Sequence, residues 1–156
     1  MSKKPKPSVL FVCVRNSGKS QMAAALMRKL SGDTVDIYSA GTRPGSSVNA
    51  LSVESLLEVG VDISVEKPKP LEAQRVREVD YVITLGREAQ VAPVDGTTFE
   101  TWETDEPSER GIEGLERMRL VRDDIAIRVN DLFRRLTEDR SHPGDVSVRG
   151  RGLRAR

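Results

Sequence analysis

Ser8-Val-Leu-Phe-Val-Cys13, running on into Val14-Arg-Asn-Ser-Gly-Lys19-Ser20, is the stretch on which the fold turns. An apolar run this short and unbroken reads as a strand covered on both faces, the usual state of a strand inside a parallel sheet. Beyond Ser20, the residues Met22, Ala23, Leu26, Met27 and Leu30 recur at helical spacing, and Gly32 supplies the stop. A strand, a tight polar turn and a helix in succession can bring the turn's N–H groups and the positive helix end to one point, a seat for a tetrahedral oxyanion. Cys13 opens that seat. The field that attracts an anion also favours a thiolate, the nucleophilic form, with Lys19 adding a point charge and Ser20 a hydroxyl donor. A cysteine ending a buried strand is equally a small packing residue, and on Cys13 alone the two readings stand level.

Working outward, the elements alternate. Thr34–Ser39 reads as a second strand, Gly41-Thr-Arg-Pro-Gly-Ser-Ser as a loop, and Val48–Val59 as a helix ended by Gly60. Lys67-Pro-Lys-Pro-Leu71 is an extended connection because its prolines exclude a helix interior or central strand, and a short helix can follow it. Val79–Leu85 is a third strand and Thr98–Trp102 a weaker fourth, followed by a polar loop with Pro107 and Gly111. Ile112, Leu115, Met118, Val121, Ile125, Val129, Leu132 and Leu136 then step by three and four along one long helix. The expected fold is α/β, a four-stranded parallel sheet with helices on both faces, in a three-layer Rossmann-like arrangement whose ligand site lies beyond the strands' C-terminal ends. The domain is expected to span 8–136, after a flexible N-terminus at 1–7 and before a disordered basic tail at 137–156 that carries too little apolar surface to fold.

Composition narrows the function. A chain of 156 residues allows one domain, and its net charge of +1 argues against a nucleic-acid or membrane-surface protein. With 4% aromatic residues, recognition must be mostly polar. One cysteine and one histidine, Cys13 and His142, leave no internal disulfide and no multi-cysteine metal site; His142, in the tail, reads as inert. No metal and no bound cofactor are expected. The apolar run Val9–Val14 is too short for a membrane span and lacks a cleavage site, so the expected location is the cytoplasm. Gly18-Lys19-Ser20 also ends like a nucleotide-binding P-loop, but Cys13 stands where that motif has glycine, and Val79–Leu85 runs out into Gly86-Arg87 without an acidic residue for Mg²⁺.

Cys13, followed by the cation Lys19 and by Ser20 on a first strand and helix, resembles the low-molecular-weight protein tyrosine phosphatase family and its arsenate reductase branch. Ser39-Ala40-Gly41-Thr42, Gly60-Val-Asp-Ile-Ser with Lys67-Pro-Lys-Pro-Leu71, and Trp102-Glu-Thr-Asp105-Glu-Pro107, similar to the family's Asp-Pro loop, extend the resemblance over Ser8–Leu136. Two departures select the branch. The family's loop normally ends in arginine, whose planar fork grips phosphate, where this chain has Lys19, and Arg15 replaces the usual glycine. Ser108-Glu109-Arg110 stands where the phosphatases carry substrate-stacking tyrosines. The thioredoxin-coupled reductases of this fold need two further cysteines, so here the second thiol must come from outside.

A lysine-ended loop, a lone cysteine and Trp-x-x-Asp-Glu-Pro together look like the arsenate–mycothiol transferases. That resemblance implies arsenate and mycothiol as substrates, an arseno-mycothiol adduct as product and a mycoredoxin acting downstream. It also implies Cys13 as the thiolate acting at arsenic, and Val14, Arg15, Asn16, Ser17, Gly18, Lys19 and Ser20 as the oxyanion-binding loop. Asn16 would hold the loop's strained turn, and Asp105 would be the general acid, with Glu106 inserted beside it. Read without the family, Asp105 is an ordinary solvated loop carboxylate and Trp102 a core residue. The competing functions are a phosphatase working through a cysteinyl-phosphate and a non-enzymatic oxyanion-binding module.

Overall fold

The computed structural model describes residues 6–141. Four parallel strands form one sheet in the order β2-β1-β3-β4, with β1 at Ser8–Cys13, β2 at Asp36–Gly41, β3 at Tyr81–Leu85 and β4 at Thr98–Trp102. Side chains alternate across β1. Val9 and Phe11 face one layer and Leu10 and Val12 the other, all almost wholly buried, which is why the run reads as unbroken in sequence. The first layer contains α1 (Lys19–Ser31), α2 (Ala50–Leu57) and α4 (Gly114–Ser141). The second contains α3 (Ala73–Glu78) and the connection through Ala89. The expected three-layer α/β fold is therefore present.

Element ends moved for identifiable reasons. β2 lies two residues later than the alternation suggested because Thr34 is used in a turn, its N–H donating to Ser31 O, and pairing with β1 begins at Asp36 opposite Ser8. β3 starts at Tyr81 rather than Val79, since the Asp80 carboxylate turns aside to accept from Ser8 N–H at 2.9 Å. Asn49 caps α2 by accepting from Ser52 N–H, so the helix starts at Ala50 rather than Val48. Met118, Val121, Ile125, Val129, Leu132 and Leu136 of the long stripe are buried along α4, while Ile112 precedes the helix.

The boundaries at 7 and 136 also need correction. Pro7 is tied to the sheet by accepting from Asp36 N–H, and Lys6 bonds Asp33 O. α4 continues past Leu136 to Ser141, into the stretch assigned to the tail. Residues 1–5 and 142–156, with His142 and most of the expected tail, lie outside the described residues. No described helix is long and apolar enough to cross a membrane.

Because every strand runs the same way, the segments after Cys13, Gly41, Leu85 and Trp102 leave the sheet along one edge. Trp102 is a core residue, packed on Phe11 with ring centroids 5.8 Å apart. It anchors β4 just before the loop that carries Asp105.

Candidate active site

The loop from Cys13 to Ser20 is held from outside by the segment after β2. Thr42, Arg43, Gly45 and Asn49 donate their N–H groups to the carbonyls of Cys13, Val14, Arg15 and Ser17 at 2.7–3.1 Å. In a trans peptide the N–H points away from its carbonyl, so the N–H groups of Val14, Arg15, Asn16 and Gly18 are turned toward the concave side. Asn16 bears this out, since its N–H reaches Cys13 Sγ at 3.2 Å. Ser20 Oγ lies 2.9 Å from the same sulfur and itself accepts from Asn16 Nδ2 at 2.7 Å, which leaves the hydroxyl proton free for the sulfur. Two donors thus converge on the Cys13 sulfur, Asn16 N–H and the Ser20 hydroxyl.

Asn16 is the keystone of this loop. It is fully buried and holds φ at 54°, the left-handed region that asparagine tolerates better than most residues. Its Oδ1 accepts from Lys69 N–H at 2.8 Å and from Gln21 Nε2 at 3.1 Å; the backbone donor fixes which way the amide faces. Gln21 Nε2 also approaches Asn16 O and Lys67 O, both at 3.2 Å. The proline-rich strap 67–71 is thereby fastened to the loop.

Gly41 makes the arrangement possible. A Cβ there would stand 2.7 Å from Val14 O and 2.9 Å from Asn16 N, both backbone atoms, so only glycine lets β2 come this close. Sequence reasoning assigned no role to Gly41, Gln21 or Lys69. Gly41 sat inside a quoted motif, and Gln21 was legible only as a polar residue beside the apolar positions of α1.

Of the remaining loop residues, Val14, Ser17, Gly18 and Lys19 are half-buried, while Arg15 is exposed with its guanidinium laid over Gly45. Lys19 Nζ lies 3.7 Å from Glu106 Oε1, an ion pair joining the anion loop to the Asp-Pro segment. Glu106 Oε2 also accepts from Ser108 Oγ at 2.7 Å and Arg117 Nε at 3.0 Å. The Ser108 bond, then Arg117 and Lys19, hold its carboxyl below the usual range. Asp105 faces Arg110, which grips both carboxylate oxygens at 2.9 and 3.1 Å. That contact lowers the Asp105 carboxyl as well. Thus Glu106, not Asp105, is the carboxylate that touches the loop here, and both are ionised at neutral pH.

A family model described as low molecular weight phosphotyrosine protein phosphatase matches residues 8–142. Among curated relatives, an arsenate reductase of Halalkalibacterium halodurans is 34% identical over 132 residues, covering 80% of this chain and 93% of its own. A glutaredoxin arsenate reductase of Synechocystis is 33% identical, covering 82% of this chain and 97% of its own. A solved thioredoxin-dependent arsenate reductase of Corynebacterium glutamicum superposes with TM-score 0.75 at 35% identity over 88% of this chain. The match spans 65% of that longer protein.

Proposed function

The chain belongs to the low molecular weight phosphotyrosine protein phosphatase family, and from that premise we propose that it is an arsenate reductase of the mycothiol-dependent kind. The observation that carries the reading is a lone cysteine, Cys13, at the head of a preformed oxyanion loop, in a chain with no second cysteine to complete a disulfide. Arsenate as the oxyanion is supported by relatives named arsenate reductases, and mycothiol by the lysine-ended loop and Trp-x-x-Asp-Glu-Pro pattern. The Cys13 thiolate attacks arsenic while the inward N–H groups of the loop, Lys19 and Ser20 hold the arsenate oxygens. Asp105, ionised while Arg110 holds it, takes up a proton from solvent on its release and passes that proton to the departing oxygen, which leaves as water. A mycothiol thiolate then attacks arsenic and displaces Cys13, giving the arseno-mycothiol adduct with arsenic still pentavalent. Reduction follows outside this protein, when a mycoredoxin thiolate attacks the mycothiol sulfur, forming a mixed disulfide and leaving the electron pair on arsenite.

Lys19, a point charge without arginine's fork, and Ser108-Glu109-Arg110 after Pro107 weigh against phosphotyrosine as substrate. The test is arsenate-dependent NADPH consumption with mycothiol and mycoredoxin or with thioredoxin, each with its reductase. Turnover confined to the mycothiol arm and lost in Cys13→Ser is expected. No turnover in either arm would overturn the reading in favour of a phosphatase or a binding module.

A further inference from the structure

A cavity of about 250 Å³ opens at the free edge of β2. Its floor is β2 from Ile37 to Ala40, and its rim carries Arg28 from α1, Lys69 from the strap and Arg75 from α3, with Glu72 as the one carboxylate. The cations are poorly neutralised. Among the described residues Arg28 has no acidic partner, Lys69 meets Glu66 only at 3.9 Å, and Arg75 pairs with Glu78 at 3.4 Å while lying 3.8 Å over the Tyr38 ring. Burial, and after the Glu66 attraction the repulsion from Arg28, set the Lys69 ammonium below its ordinary range.

The floor is short of partners too. Ser39 is 4% exposed, yet its hydroxyl has no hydrogen-bond partner among the described residues. Asp36 N–H points to β1, where it meets Pro7 O, whereas Gly41 N–H points to the outer edge, where it meets Lys69 O. By strand alternation the backbone groups of Ile37 and Ser39 face outward with Gly41, and the strap does not reach them.

We propose that this edge cavity binds a small organic phosphate monoester, at a site separate from the loop 13–20. Lys69 and Arg75 share their charge with Glu66 and Glu78, but Arg28 has no acidic partner among the described residues. The unpartnered Ser39 hydroxyl and the outward N–H groups of Ile37 and Ser39 line the same edge, so a cation and neutral donors together face a phosphate there. Ile37, Tyr38 and Pro70 supply apolar walls in a space larger than a bare phosphate fills, so the ligand carries an organic body. Lys69 belongs to both places, since its side chain rims the cavity while its N–H holds Asn16 in the oxyanion loop.

Amide-resolved NMR titration of the full chain, as Cys13→Ser to prevent turnover, separates the two sites. Glucose 6-phosphate and inorganic phosphate are the probes. The site predicts a second set of shifts at 37–40 and 69–75, with a dissociation constant distinct from that of 14–20 and tighter for glucose 6-phosphate than for inorganic phosphate. Arg28→Gln with Arg75→Gln should weaken that set about tenfold or more, as expected for lost charge-assisted hydrogen bonds. The set at 14–20 should persist and report an intact fold. Movement confined to 14–20, or a second set indifferent to the double substitution, would overturn the site. Equal affinity for the two probes would overturn its assignment to an organic phosphate.

Discussion

The anion loop and the acid loop meet at Lys19 and Glu106 but are built on opposite principles. Residues 13–20 are fixed by uncharged hydrogen bonds, buried around Asn16 and Gln21, arriving from three directions: the 42–49 segment outside, Gln21 below and the 67–71 strap beside. Residues 103–110 are held mainly by charge. Glu103 meets Arg87 at 2.8 Å, Asp105 meets Arg110, Glu106 meets Arg117 and Lys19, and the Asp105 N–H donates to the Asp124 carboxylate. Exposed ion pairs of this sort are worth at most about 1 kcal/mol each, so they exchange cheaply. Buried hydrogen-bond networks do not, because each broken partner is left unsatisfied. Under the proposed function the contrast gives one job to each loop: the first would present a preformed oxyanion seat, and the second would rearrange to bring a carboxyl to it.

The largest effect should come from the seat's nucleophile. Cys13→Ser is expected to cut arsenate-dependent turnover by about 10⁴-fold or more while leaving the urea midpoint near the wild-type value. Retained turnover would break the comparison outright. Next, Gly41→Ala drives a Cβ into Val14 O and Asn16 N and shifts the seat rather than removing a reacting group. A displacement on that scale is expected to lower turnover about 10²-fold, together with weaker phosphate binding in titration calorimetry.

The acid loop should respond differently, with changes in pH dependence more than in affinity. Arg110→Ala removes the strongest influence lowering the Asp105 carboxyl, so that group moves up toward its ordinary value and stays protonated to higher pH. If Asp105 is the acid, the limb of the kcat profile that requires a protonated carboxyl shifts to higher pH, with arsenate affinity within about threefold of wild type. An unchanged limb in Arg110→Ala, but a shifted one in Glu106→Gln, would move the acid role to Glu106.

The smallest effect lies away from both loops. Arg119 and Arg122 hold the Glu58 carboxyl down at about 2. A lowered carboxyl stabilises the fold above the unfolded-state value near 4.5 and loses that contribution as pH falls toward 2. Glu58→Gln should flatten the acid limb of stability in urea titrations between those values, with no change in turnover at neutral pH.

Much of the seat was legible in the sequence because its signals are local. An unbroken apolar run, a turn and a helix-forming stretch are contiguous, so β1, the loop and α1 could be placed within a residue, and Cys13 with them. The supports of that seat were not legible, because they are partners distant in the chain. Lys69 reaches Asn16 across 53 residues, and Gly41 matters only through what it lets approach. The acid loop's composition gave its carboxylates but not their pairing, since Asp105 and Glu106 are adjacent and only the fold decides that Arg110 takes one and Lys19 the other. The end of α4 was missed because Thr137–Ser141 is polar and its helix is carried by the apolar stripe before it.

The most direct measurement of the central claim is mass spectrometry of a reaction containing only this protein, arsenate and mycothiol, paired with speciation of the arsenic. The account predicts an arseno-mycothiol adduct holding pentavalent arsenic, absent with Cys13→Ser, and no arsenite until mycoredoxin is added. Arsenite formed without mycoredoxin, alongside a disulfide between Cys13 and mycothiol, would contradict it, because Cys13 would then carry the oxidation itself rather than hand arsenic to an outside thiol.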